Sequence, residues 1–318
     1  MSKEYTLDWH NLKYSLLNFY FNVSMTTFWA VMRRTCCLCT VGQVVHTLPE
    51  GKPAYGVTLL GDEVYVLRRK LTLLRRKVRY QLEVYDVINY RLQSRLTMPN
   101  ISGLTDMTSC EHYHCVYFAD HIDDYIHRLD VQGTFTQWAV NDEPAGISVN
   151  AAHNVLVTCI AVPKIKEFSS HGDLLRELTL PGDVTNPLHS IQTRNGEFIV
   201  CHGGPDDAVH RVCKISADGR HIVQSHGGQP GSDIGQYDVP RHLAVDSSES
   251  VFVVDVNNER VTLLSPTLDS TCQIVSRYDL KWLPGRLCLD IHRRRLYVAD
   301  NEYKSGEYRT GRVVVFNV

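Results

Sequence analysis

Along most of the chain, short apolar runs alternate with polar turns, and the runs recur in a fixed order. The stretch PRHLAVDSSESVFVVDVNNERVTLL, residues 240–264, holds three of them: LAV, VFVVD and RVTLL, parted by DSSES and VNNE. Runs rich in β-branched and aromatic residues, bounded by Ser, Asp and Asn, read as strands joined by tight turns. The same order appears in PAYGVTLLGDEVYVLRR from Pro53, ISGLTDMTSCEHYHCVYFAD from Ile101 and PAGISVNAAHNVLVT from Pro144. It returns in PLHSIQTRNGEFIVCH from Pro187 and PGRLCLDIHRRRLYVAD from Pro284.

The apolar anchors of the first strands are Val57, Leu104, Ile147, Ile191, Leu243 and Leu287, spaced 43 to 52 residues apart. A period of that size with several strands per repeat is the signature of propeller blades, each of which needs its neighbours to bury its faces. Third strands follow at 82–86, 125–130, 164–168, 212–215, 260–264 and 312–316, and fourth strands at 91–98 and 174–180 among others. The last repeat reaches Val318 after its third strand, and QVVHTL (43–48) is placed to supply the fourth. The pattern therefore predicts an all-β fold, a six-bladed β-propeller over 43–318 whose last blade is closed by an N-terminal strand, which removes an exposed sheet edge.

The motif P-x-x-L-A-V-D…V-F-V-V-D-x-x-N-x-R-V of the fifth repeat, with LYVADN at 296–301 and VYFAD at 116–120, resembles NHL repeats. The likeness covers 43–318 and is clearest in repeats 2, 5 and 6. In repeats 1, 3 and 4 the aspartate that ends the second strand gives way to Arg68, Thr158 and His202. The resemblance implies a rigid ring whose loops bind partners.

Up-and-down strand order places the loop leading into each first strand on the same rim as the loop between second and third strands. Candidate rim residues are thus Tyr55, His189, His202, Arg241, His242 and Arg286, with Arg75, Arg76 and Lys77 from the run RRKLTLLRRKVR (68–79). That run reads as a solvated hairpin extension or as an anion-binding finger. A second basic run, Arg293–Arg295, falls in a turn of the opposite rim, so the two make no continuous basic surface.

Candidate chemistry changes this picture little. His189 and His242 stand two residues after a proline in adjacent repeats, which looks somewhat like the amidating lyases, whose propeller carries histidines near first-strand starts. The corresponding positions elsewhere read as Tyr55, Gly103, Gly146 and Arg286, so no third histidine completes a zinc set. Gluconolactonase-like and paraoxonase-like propellers bind calcium through carboxylates at the channel mouth. Here Asp120, Asp255 and Asp300 belong to the repeat itself and are expected to cap backbone N–H groups of the following loop. No G-x-S-x-G, P-loop or H-E-x-x-H motif occurs.

A formal net charge of −2 gives the molecule no general attraction to nucleic acid or anionic lipid. Of ten cysteines, Cys115, Cys159, Cys201, Cys213 and Cys288 lie in apolar runs, as core thiols of a reduced intracellular protein do. Residues 1–42 form an N-terminal extension in which 14–32 carries no charge. That segment reads as a helix packed on the ring or, alternatively, as a bilayer span that would anchor it. The expectation is a cytoplasmic, monomeric, non-enzymatic scaffold without cofactor or metal, binding a protein or peptide across the rim. A metal-dependent lyase or hydrolase is the alternative and single-stranded RNA binding the second alternative.

Overall fold

In a computed structural model, residues 41–72, 77–99, 101 and 103–318 of the protein are described. Val41–Val318 forms one compact unit of six four-stranded antiparallel sheets, five of which are built from consecutive strands. These are blade 1 (54–97), blade 2 (104–139), blade 3 (144–179), blade 4 (187–228) and blade 5 (240–275). Blade 6 reads, from the axis outward, Leu283–Asp290, Arg295–Lys304, Glu307–Asn317 and Gln43–Gly51. The closing strand pairs Gln43 with Asn317, Val44 with Phe316 and Leu48 with Val313, as the sequence pattern predicts.

Second strands such as Cys115–Asp120, Val155–Cys159, Phe198–His202 and Val251–Asp255 are buried at every position. Neighbouring blades cover both of their faces, so they read as continuous apolar runs and not as alternating ones. The outer strand Leu92–Thr97 is exposed throughout. Between blades 1 and 2 the packing joins Leu67 and Leu82 to Met107 and Phe118. Between blades 6 and 1 it joins Leu48, Tyr297 and Val313 to Val57 and Val64.

Arg68 stands where blades 2, 5 and 6 carry the repeat aspartate, and it fastens this last seam. Its guanidinium donates to the carbonyls of Pro49 and Lys52 and, at 2.9 Å, of Gly311, while Nε meets Glu83 at 3.0 Å. Beyond Arg68 the hairpin of blade 1 continues through Arg69↔Tyr80 to Thr72↔Lys77, so the basic run is a strand extension. Arg75 and Arg76 lie outside the described residues, as does the side chain of Lys77. So does the 1–40 part of the N-terminal extension, including 14–32. Among the described residues no helix is long and apolar enough to cross a membrane.

One feature recurs where every first strand meets its second. The register slips by one residue in all six blades, leaving Tyr55, Thr105, Ala145, Leu188, Arg241 and Gly285 bulged. Before the bulge stands Pro144, Pro187, Pro240 or Pro284 in four blades, and Ala54 or Leu104 in the other two. A bulge bends a strand and re-aims its side chains. It also corrects the repeat register: Leu104 occupies the proline position and Met107 the anchor position, while in blade 4 the anchor is Ser190 and not Ile191.

Candidate functional site

The residues immediately after the six bulges are Gly56, Asp106, Gly146, His189, His242 and Arg286. Four of them, from blades 2, 4, 5 and 6, meet on the axis. Arg286 Nε donates to Asp106 Oδ1 at 2.9 Å and His242 Nε2 lies 3.3 Å from the same oxygen. The Ile147 N–H of blade 3 donates to Asp106 Oδ2 at 3.0 Å, with His189 Nε2 3.7 Å away. The two imidazoles lie 4.0 Å apart between centroids. The two glycines are set by close packing against the next blade. A Cβ at Gly56 would fall 2.3 Å from Met107 Cγ, and one at Gly146 would fall 2.4 Å from the Leu188 carbonyl oxygen.

Asp106, His189, His242 and Arg286 are all buried. Burial alone would raise the carboxyl pKa, yet His242, Arg286 and His189 together hold Asp106 well below the usual carboxylate range. Burial drives His189 down to about 3, assisted by His242 and opposed by Asp106. His242 is lowered as well, again first by burial. At neutral pH the floor of the channel is therefore one carboxylate paired with one guanidinium beside two uncharged imidazoles. Backbone strain sits just upstream of both histidines, with φ +44° at Asn186 and +60° at Val239. A β-branched residue in that region costs about 1–3 kcal/mol and persists only where its surroundings enforce it. Here the Val239 N–H is held by His210 Nδ1 at 3.1 Å.

Could this floor hold a metal? Asp106, His189 and His242 present ligand atoms within 4.8 Å of one another, and the Nδ1 atoms of both histidines are buried without a hydrogen-bond partner. The obstacle is Arg286, whose guanidinium already occupies the one carboxylate of the set. A dication there would share that single negative charge with a fixed cation, which is a poor fit.

Above the floor lies the mouth. Two recesses meet there: one of about 40 Å³ lined by Tyr55, Thr105, Arg241, Arg286 and Tyr308 among others, and one of about 210 Å³ lined by Thr105, His121, Glu143, Leu188, Arg241 and Arg286 among others. Tyr55 and Tyr308 meet edge to face at 6.0 Å, and Arg69 donates to the Tyr55 hydroxyl at 2.6 Å. Of the residues expected on this rim, Tyr55 and Arg241 line the mouth, Arg286 spans mouth and floor, and His189 and His242 lie in the floor.

His202 is elsewhere. It ends the second strand of blade 4, fully buried, with Arg211 Nε at 3.2 Å and Cys213 Sγ at 3.5 Å. Burial, then Arg211, lowers its pKa to about 4. The repeat aspartates are structural caps, as expected. Asp255 accepts the Asp238 N–H at 2.8 Å and Arg260 Nε at 2.8 Å, and Asp300 accepts the Lys281 N–H at 2.9 Å. The basic turn of the opposite rim is also committed, Arg293 pairing with Asp290 and Asp62.

Asp106, the hub of the floor, is the residue sequence reasoning passes over. Leu104 replaces the proline that marks the position in blades 3 to 6, so the sequence pattern puts the equivalent of His189 at Gly103. Counting back from Asp120, the strand-end aspartate opposite Leu104, gives the register and locates it.

No family model matches the chain, and no curated protein matches it. Solved structures do. A streptogramin B lyase superposes with TM-score 0.58 at 11% identity, over 86% of this chain and 96% of the lyase. Virginiamycin B lyase from Staphylococcus aureus gives 0.56 at 11%, over 85% and 99%. The PQQ-bound aldose sugar dehydrogenase of Streptomyces coelicolor gives 0.59 at 12%, over 86% and 98%. At such identities the likeness concerns the fold, a propeller shared by proteins of different chemistry.

Proposed function

We propose that the protein is a non-enzymatic interaction scaffold, an NHL-like ring that docks a protein or peptide across its mouth rim in the cytoplasm. The observation that carries this reading is the commitment of the floor: the Asp106 carboxylate, its one ionised acid, is bonded to Arg286 and the Ile147 N–H. A small-molecule site usually offers about 300–1,000 Å³, and the larger mouth recess offers about 210 Å³. Aromatic and arginine side chains line the smaller recess beside it, Tyr55, Tyr308 and Arg241, and these types are enriched at protein interfaces. The test is affinity capture from the native source with wild-type chain, with Tyr308→Ala at the mouth and with Arg220→Gln in the turn between the third and fourth strands of blade 4, which up-and-down strand order puts on the opposite rim. A partner lost only with Tyr308→Ala is expected; a partner retained by that variant overturns the assignment of the surface.

A second reading, a metal-dependent lyase or hydrolase, is favoured by the convergence of Asp106, His189 and His242 and by the unmatched Nδ1 atoms. Metal analysis of the same preparation separates the two. Zinc or calcium near one per chain, lost in His242→Ala, would replace the scaffold reading.

A further inference from the structure

We propose that the mouth holds a single carboxylate, gripped by Arg241 and the Tyr55 and Tyr308 hydroxyls, and that an acidic side chain of the docked partner supplies it. The inference rests on the interaction reading above and names the chemistry of what docks.

Arg241 is the anchor because no described residue bonds its guanidinium. The bulge of blade 5 turns it into the mouth, where it lines both recesses. Every other guanidinium there has a partner: Arg69 bonds the Tyr55 hydroxyl, and Arg286 bonds Asp106 and the carbonyls of Thr105 and Gly285. Arg241 has no hydrogen bond or ion pair with any described residue. Burial, then the charge of Arg286 beside it, lowers its pKa, so the cation is held at a cost that an anion would relieve.

The charge present selects the ligand. Asp106 neutralises Arg286, and Glu143, among the described residues the one carboxylate lining the mouth, is exposed and pairs with no described cation. Arg69 meets the neutral Tyr55 hydroxyl and lines neither recess, so among the described lining residues Arg241, half-buried, is the cation left to match, which suits a monoanion better than a phosphate dianion. The donors suit it too. A guanidinium fork takes a carboxylate bidentately, and the Tyr55 hydroxyl, which accepts from Arg69, still has its proton to donate. The recess of about 40 Å³ that Arg241 shares with Tyr55 and Tyr308 has room for a carboxyl group and not for a nucleotide, and the adjoining recess of about 210 Å³, which Arg241 also lines, takes the rest of the side chain.

The experiment is an NMR titration of the full chain with glutamate capped at both ends, with succinate and with inorganic phosphate. It is run on wild type, Arg241→Gln, Arg241→Lys and Arg220→Gln, each first shown to unfold at the wild-type urea midpoint. Saturable shifts with capped glutamate are expected, weakened about tenfold or more in Arg241→Gln, weakened less in Arg241→Lys and unchanged in Arg220→Gln. Tighter binding of capped glutamate than of succinate supports a partner side chain as the source. Tighter binding of succinate, which carries two charges, overturns both the side-chain source and the single carboxylate. Absence of saturable binding, equal binding by Arg241→Gln, or preference for phosphate overturns the inference whole. Partner capture is scored separately: docking that needs Tyr308 while no carboxylate titrates sinks this inference alone, and carboxylate binding without any captured partner sinks the scaffold reading alone.

Discussion

Four imidazoles in this ring lie in surroundings that resist a proton. His189 falls to about 3 and His202 to about 4, first through burial in each case, and burial lowers His242 and His226 too. An unfolded chain takes up these protons near pH 6.5. Between there and pH 3 the unfolded state therefore binds more protons than the folded one, and stability rises with pH across that window. Stability present above about pH 6.5 is lost as the pH falls, by up to about 1.4 kcal/mol per unit for each imidazole. Urea midpoints should drop steadily from pH 7 to pH 4, and His202→Gln should flatten the slope by about one imidazole; a level profile would contradict the burial argument. These histidines were visible in the sequence as residues, and His189 and His242 as a pair, but their neutrality was not. It depends first on burial, which for His189 and His242 is completed by strands arriving from other blades, and nothing local encodes that.

At the scale of a strand, the information lies in the bulge. Second strands were legible because an apolar run such as VFVVD has no polar face to present, and proline flags the first strand in blades 3 to 6. Blades 1 and 2 carry Ala54 and Leu104 at that position, so there the register slid and the axis residue was misplaced. The bulge also explains two glycines that no turn requires. Gly146→Ala would drive a methyl to 2.4 Å from the Leu188 carbonyl, where backbone must move. A cost of about 1–3 kcal/mol is expected from such overpacking, measurable as a lower urea midpoint. Gly56→Ala meets only the Met107 side chain and should cost less.

For the molecule as a whole the decisive joint is the one between blade 6 and blade 1. Replacing Arg68 by Met removes the bonds to Pro49, Lys52 and Gly311 and leaves Glu83 buried beside Arg95 and Tyr85. Breaking a buried pair from one side costs about 3–5 kcal/mol. Calorimetry should show that loss, and amide exchange should quicken first in Gln43–Gly51, ahead of blades 3 and 4. Uniform quickening would mean that the seam is no weaker than the rest. The joint also sets a clock for biosynthesis. Gly51 and Thr310 are 259 residues apart, and at about 5–20 residues per second the ribosome needs roughly 13–50 s to cover that distance. For that time Gln43–Gly51 is a strand without its neighbour, and whatever shields it from other nascent chains decides how many rings are completed.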